Sequence, residues 1–138
     1  MNGIHYDLIR KNGQTLGLLL SDTDYNTPIT GYEGEIELPA SKCRLAQNGC
    51  LHVFAGFAWD FGSGPAIDTP AVVRASLAHD ALCLLTDRGL IPWSCRARAD
   101  AYYREMLREY GTGFARRWWQ WAGVRAYSST LGNWRRKR

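Results

Sequence analysis

The hydrophobic and polar positions follow two different periods, one before and one after a glycine-rich loop. In the first part, short runs of apolar and β-branched residues alternate with polar or turn residues, which is typical of β-strands. The four clearest runs lie at residues 6–10, 15–20, 33–38 and 50–54. The pair Asn12-Gly13 between the first two favours a tight hairpin turn. We therefore expect residues 1–60 to be mainly strands, joined in one small antiparallel sheet.

A second period, that of helices, governs residues 66–127. Three helices are predicted, over residues 70–88, 94–110 and 116–127, the last rich in tryptophan. The first has Pro70 at its start, after a threonine suited to cap it, and Gly89 just beyond its end. The second spaces its apolar side chains at i, i+3, i+4 and i+7 and stops before Gly111. Since a short turn separates these two helices, we expect them to form an αα-hairpin.

Length and composition fit one packed domain. The chain has 138 residues, 46% of them hydrophobic, and its six Trp, seven Tyr and four Phe exclude a disordered protein. We therefore predict a single α+β domain over residues 1–138, with a basic tail at 128–138. The first residues lack the basic and apolar regions of a signal peptide, and no apolar run is long enough to cross a bilayer, so that a cytoplasmic protein is expected.

Charge is divided unevenly between the two parts. Residues 1–69 carry four basic and eight acidic side chains, a net −4, whereas residues 70–138 carry 13 basic and five acidic ones, a net +8. The predicted binding surface consists of basic and aromatic residues near the C-terminus, namely Arg116, Arg117, Trp118, Trp119, Trp121, Arg135, Arg136, Lys137 and Arg138. It would contact a partner protein or an anionic lipid surface, with nucleic acid less favoured because no recognised binding motif occurs. Packing of the tryptophans onto the helical hairpin is the alternative interpretation.

The first predicted helix carries an unusual pair of polar residues. His79 and Asp80 are adjacent in a segment that is otherwise apolar nearly all round, and buried polar groups need partners. Because successive residues point about 100° apart on a helix, the two side chains would face different partners. In an antiparallel hairpin, Asp100 can lie opposite His79, where a carboxylate would fix the tautomer of the ring and leave its other nitrogen as a base.

The partner predicted for Asp80 is the glycine-rich loop that precedes the helix. Its residues of interest are Asp60, Gly62, Ser63, Gly64 and Pro65. Backbone carbonyls of Gly62 and Gly64, together with the Asp80 carboxylate, would form an oxygen-rich site for a hard cation such as Ca²⁺. A zinc site is less favoured, since its potential ligands have unusual spacing, at Cys43, Cys50 and His52. A cysteine nucleophile is not expected either.

Two resemblances concern these same residues. Over roughly residues 50–127 the chain resembles the phage and prophage domain-of-unknown-function family 1353. The matching motifs are Phe57-x-x-Asp60-x-x-Ser63-x-Pro65, Ala75-x-x-x-His79-Asp80-x-Leu82, Arg98-Ala99-Asp100-x-x-Tyr103-x-x-x-Leu107 and Val124-Arg125. This resemblance implies a phage-encoded protein of the host cytoplasm or the virion, with phage structural proteins or a host protein as partners. More distantly, the order of a glycine loop, His-Asp on one helix and Asp on the next is similar to secreted and parvoviral phospholipases A2.

The likeness to phospholipases A2 implies a role for each polar residue. In that family the histidine activates a water, the next aspartate binds Ca²⁺ with loop carbonyls, and the distant aspartate orients the histidine; these roles would fall to His79, Asp80 and Asp100. The sequence departs from the pattern at Cys83, where the family favours tyrosine, and in its less glycine-rich loop. Two interpretations stay open: a Ca²⁺-assisted hydrolase of lipids or other esters, and a non-enzymatic virion or assembly protein, or host-targeting effector, in which these side chains form a structural network.

Overall fold

The computed structural model describes residues 4–59 and 70–109. The strands are β1 (Tyr6–Lys11), β2 (Gln14–Leu19), β3 (Thr23–Asn26), β4 (Gly34–Ile36), β5 (Cys43–Leu45), β6 (Cys50–Val53) and β7 (Ala58–Trp59). The helices are α1 (Pro70–Asp87) and α2 (Cys95–Glu109), and a short 3-10 helix, Pro39–Ser41, lies between β4 and β5. Strands before residue 60 and helices after residue 69 confirm the mixed α+β class.

The strands form two sheets, so the prediction of one sheet is wrong. In the first sheet β2 lies between β1 and β7, and in the second the order is β3-β6-β5-β4, with all neighbours antiparallel. Asn12 and Gly13 have φ of 53° and 80°, as the tight hairpin turn requires. The second sheet was not foreseen because β3 and β5 are only four and three residues long, too short for alternation to reveal them.

Helix α1 lies at the centre of the core. Its buried apolar side chains come from every face of the helix and are Val72, Val73, Ala75, Leu77, Ala78, Ala81, Leu82 and Leu85. At the end of β7, the Trp59 indole N–H donates to Ser76 Oγ over 3.1 Å. From β3, the Tyr25 hydroxyl donates to the Arg74 carbonyl over 2.8 Å, and the Arg74 guanidinium lies over the Tyr25 ring. Both sheets are thereby attached to the first half of α1.

Helix α1 ends just before Gly89, the glycine that predicted its end. Gly89 has φ of 72°, its N–H donates to Thr86 O, and the Leu90 N–H donates to Leu85 O, each over 3.0 Å. This pair of bonds is the Schellman motif, which satisfies carbonyls at a helix C-terminus. A Cβ on Gly34 would lie 2.9 Å from the Leu90 Cβ, so β4 packs closely on the same turn.

Several predicted features lie outside the described residues. They are the loop with Asp60, Gly62, Ser63, Gly64 and Pro65, the third helix at 116–127, the tail at 128–138 and the binding surface composed of Arg116, Arg117, Trp118, Trp119, Trp121, Arg135, Arg136, Lys137 and Arg138. Among the described helices, none has the length and apolar character needed to cross a membrane.

Candidate functional site

The predicted pairing of His79 with Asp100 is present. His79 Nε2 lies 2.6 Å from Asp100 Oδ1, in a hydrogen bond that joins the middle of α1 to α2. Asp100 is fully buried, and His79 retains 8% of its surface. Because the carboxylate is shielded from solvent, its bond to the ring is strong and holds the imidazole in one orientation.

Two other side chains surround the His79 ring. Tyr103, from α2, meets it edge-on, with ring centroids 5.5 Å apart. Cys83, one turn further along α1, has its Sγ 3.7 Å from Nδ1 and 3.5 Å from Nε2. Because the sulfur is nearly equidistant from the two nitrogens, it does not lie along the in-plane lone-pair direction of either one. The bond to Asp100 therefore occupies Nε2, whereas Cys83 does not occupy the in-plane direction of Nδ1.

Opposing effects act on the charge of His79. Burial disfavours the imidazolium and alone would lower its pKa, but the neighbouring Cys83 and the hydrogen-bonded Asp100 outweigh burial and raise the pKa of His79 above its usual value of 6.5. The pair is therefore an ion pair when the ring is protonated. The same carboxylate that orients the imidazole thus also stabilises its protonated form.

Asp80 acts on a different element from the one that His79 contacts. It is half-buried, and its charge adds to the burial that raises the pKa of the Cys43 thiol, on β5, to about 12. Asp80 is thus close enough to the second sheet to act on it, while His79 faces α2, as the helical angle between successive residues requires. The carboxylate of Asp80 is the described part of the predicted cation site.

A buried arginine, Arg96, joins the two helices where α1 ends and α2 begins. Arg96 Nη1 donates to Asp87 Oδ1 over 2.7 Å, to Thr86 Oγ1 over 3.0 Å and to the Cys83 carbonyl over 3.1 Å. Its guanidinium also lies over the ring of Trp93, 4.8 Å from the centroid. These contacts join the last turn of α1 to the first turn of α2, which sets the register that brings His79 opposite Asp100.

Cys83 belongs to the site, although sequence reasoning gave it no role. Its Sγ, a nitrogen of His79 and an oxygen of Asp100 all lie within 4.8 Å of one another, and all three residues are buried. In the part of the chain that the structure describes, this is the one group of three His, Cys, Asp or Glu residues with such convergent atoms. The available signal was the spacing of four residues between His79 and Cys83, which places both on one helix face.

A second polar cluster replaces the zinc site considered at Cys43, Cys50 and His52. The two nitrogens of His52 bond instead to Asp24 Oδ1 at 2.5 Å and to Asp22 Oδ2 at 3.0 Å. Asp22 Oδ1 also accepts the Ala55 N–H over 2.8 Å. Although partial burial opposes the charged ring, the two carboxylates raise the pKa of His52 above its usual value. This cluster joins β3 and β6 at the protein surface, with a carboxylate at each nitrogen of His52.

Comparison with known proteins identifies a family. The family model described as "Protein of unknown function (DUF1353)" matches residues 38–124, which is more than half of the chain and includes His79, Asp80, Cys83 and Asp100. No curated protein and no solved structure matches the chain. The matched region agrees with the motifs around the His-Asp pair and the second-helix aspartate. The chain therefore belongs to the DUF1353 family.

Proposed function

We propose that this protein is a phage-encoded, Ca²⁺-assisted hydrolase of lipid or other esters, with His79 as general base and Asp100 as the residue that orients it. The observation that carries the proposal is the 2.6 Å bond between His79 Nε2 and the buried Asp100 carboxylate. A histidine held at one nitrogen by a carboxylate can accept a proton at the other, which is Nδ1 here. The phage origin and the lipid substrate rest on the family resemblances of the motifs.

The residues of the chain support a simple sequence of proton transfers. The neutral His79 ring would take a proton from water at Nδ1 while the resulting hydroxide adds to the ester carbonyl carbon. Asp100 would stabilise the imidazolium so formed, in agreement with the raised pKa of His79. When the tetrahedral intermediate breaks down, the leaving alkoxide would receive that proton. Because this step needs the neutral ring, hydrolysis is expected to increase as the pH rises.

The cation is assigned to Asp80 and the glycine-rich loop. A half-buried carboxylate on the helix that carries the base suits a hard ion, which prefers oxygen ligands. Trp59, the last described residue before the loop, bonds to Ser76, one helical turn from Asp80. A bound Ca²⁺ would polarise the ester carbonyl and balance the negative charge of a lipid phosphate. Gly62 and Gly64 are the proposed carbonyl donors.

The burial of the cluster favours a second candidate function. His79 retains 8% of its surface, Cys83 2% and Asp100 none. A network with so little solvent access also fits a structural role, in a non-enzymatic virion or assembly protein or a host-targeting effector. Such a protein would use the basic, aromatic residues 116–138 to contact a phage structural protein or a host protein, in the host cytoplasm or in the virion.

A hydrolysis experiment distinguishes the two candidate functions. Fatty-acid release from phospholipid vesicles and hydrolysis of a soluble short-chain ester would be measured for wild type and His79→Gln, with Ca²⁺ or a chelator. We expect a loss of about 100-fold or more in His79→Gln and in chelator. His52→Gln is the matched control, since it removes a histidine that bonds to Asp22 and Asp24 outside the proposed site and should keep the rate. Equal rates for wild type and His79→Gln, or no hydrolysis by wild type, would overturn the enzyme proposal, and a fixed copy number in purified virions would favour the structural one.

A further inference from the structure

We propose that the interior cluster of His79, Cys83 and Asp100 binds Zn²⁺ or a divalent ion of similar ligand preference. The three residues offer one nitrogen, one sulfur and one oxygen atom, all within 4.8 Å of one another. Nitrogen and thiolate ligands select zinc and related transition metals, whereas Ca²⁺ takes oxygen alone. This site is therefore chemically distinct from the oxygen site at Asp80, and its occupancy does not depend on whether the protein hydrolyses esters.

The helices bring the three ligands together. Residues four apart lie on one helix face, which places His79 and Cys83 side by side, and α2 presents Asp100 to the same face. With bonds of about 2.0–2.3 Å, ligand atoms of a tetrahedral zinc site lie about 3.5 Å apart. Cys83 Sγ is already 3.5 Å from His79 Nε2. The ion would take the place of the proton between His79 and Asp100, the carboxylate would retreat by roughly 1 Å, and the sulfur would turn from the ring toward the metal.

The charges of the cluster suit a divalent ion in a buried position. With the metal bound, a Cys83 thiolate and an Asp100 carboxylate supply two negative charges, and the His79 ring is neutral. The complex then has no net charge, which avoids the large penalty for an unpaired ion in the interior. A compact set of two anions and one neutral ligand is therefore better matched to a divalent cation than to a monovalent one.

His79 is the least buried of the three ligands. His79 retains 8% of its surface, while Cys83 and Asp100 are more deeply buried. Three protein ligands leave a fourth position of a tetrahedral site for water. A water ligand would take that fourth position, with the other three filled by side chains of α1 and α2.

The test is a titration of the full-length chain with Co²⁺, a coloured substitute for Zn²⁺. We expect one equivalent to produce the visible bands of a tetrahedral ion and a thiolate-to-cobalt charge-transfer band in the near ultraviolet, both removed by added Zn²⁺ and kept in excess Ca²⁺. Cys83→Ser should lose the charge-transfer band. Two matched variants, Cys95→Ser for a second buried cysteine and Asp80→Asn for the neighbouring carboxylate, should retain it.

The outcomes separate this proposal from the enzyme proposal. A charge-transfer band that persists in Cys83→Ser, or no band in wild type, would overturn the zinc site without affecting the hydrolysis result. If Cys83→Ser does not fold, X-ray absorption of the wild-type zinc complex decides instead. One sulfur ligand at about 2.3 Å from the zinc, together with nitrogen and oxygen ligands, supports the site. A zinc coordination shell without sulfur contradicts it.

Discussion

The buried ion pair at the end of the helix pair gives the sharpest stability prediction. Arg96 and Asp87 are joined over 2.7 Å with side chains only 3% and 11% exposed. The same guanidinium group also binds Thr86 Oγ1 and the Cys83 carbonyl. Arg96→Met keeps most of the aliphatic volume but removes the charge and the donors, so it isolates the polar contribution.

The expected loss follows from what the missing arginine leaves behind. Removing one partner of a buried ion pair costs about 3–5 kcal/mol because a charge stays without its counterpart. Water can still reach the partly exposed Asp87, and the Thr86 hydroxyl already donates to the Cys83 carbonyl over 2.7 Å, which reduces the penalty. We therefore expect Arg96→Met to lower the free energy of unfolding by about 3 kcal/mol, near the lower end of that range.

Urea denaturation followed by tryptophan fluorescence measures this change. Arg108→Met is the control on the same helix, since Arg108 forms an exposed pair with Glu105 at 3.7 Å and should lose less than about 1 kcal/mol. The double variant Arg96→Met with Asp87→Leu should recover most of the loss, because no charge is then left unpaired. A loss below about 1 kcal/mol in Arg96→Met, or strictly additive losses in the double variant, would refute the reasoning.

Three further predictions concern the site, the surface cluster and a turn. Asp100→Asn should keep the fold but lower kcat of ester hydrolysis by about a thousandfold, because an amide cannot stabilise the His79 imidazolium; a steady-state assay checks this. The pKa of His52 is higher in the folded protein than in the unfolded chain, so the protonated ring stabilises the fold. This stabilisation is complete below the unfolded pKa of 6.5 and is lost as pH rises through the folded pKa. Wild type should therefore exceed His52→Gln in stability by up to about 1 kcal/mol in acid, and a gap that widens with pH contradicts this. Gly49→Ala should lower the free energy of unfolding, measured by thermal denaturation, by about 2 kcal/mol or more, because φ is 92° and the new Cβ would lie 2.3 Å from a backbone carbonyl oxygen. Gly31→Ala is the control: its φ is similar but the space around it is open, so the loss should be smaller.

The proposed base, calcium site and zinc site all lie within two turns of α1. His79 shares a bond with Asp100 on one side of the helix, and Asp80 acts on Cys43 on another. If both proposals hold, Zn²⁺ at the cluster would occupy the nitrogen that Asp100 now holds and would thereby disturb the base, whereas Ca²⁺ at Asp80 would support hydrolysis. Opposite responses to the two ions are thus the expected pattern for a wild-type enzyme.

Local signals in the sequence determined much of the fold. Asn12-Gly13 indicated the first hairpin, and Pro70 and Gly89 marked the limits of α1, because such residues act through their own backbone angles and need no distant partner. The position of Asp100 opposite His79 was also predictable, since it follows from helical periodicity and a short connection between two helices.

Only the tertiary structure decided the remaining features. β3 and β5 carry too few residues to show a period, and their pairing with β6 and β4 makes the second sheet. The contact of Cys83 with the His79 ring depends on side-chain positions that α2 packing fixes, and the Asp22, Asp24 and His52 cluster joins residues about thirty positions apart. Local sequence specifies backbone preferences within a few residues, whereas the protonation and metal chemistry of a site depends on which distant groups the packed core brings within bonding distance.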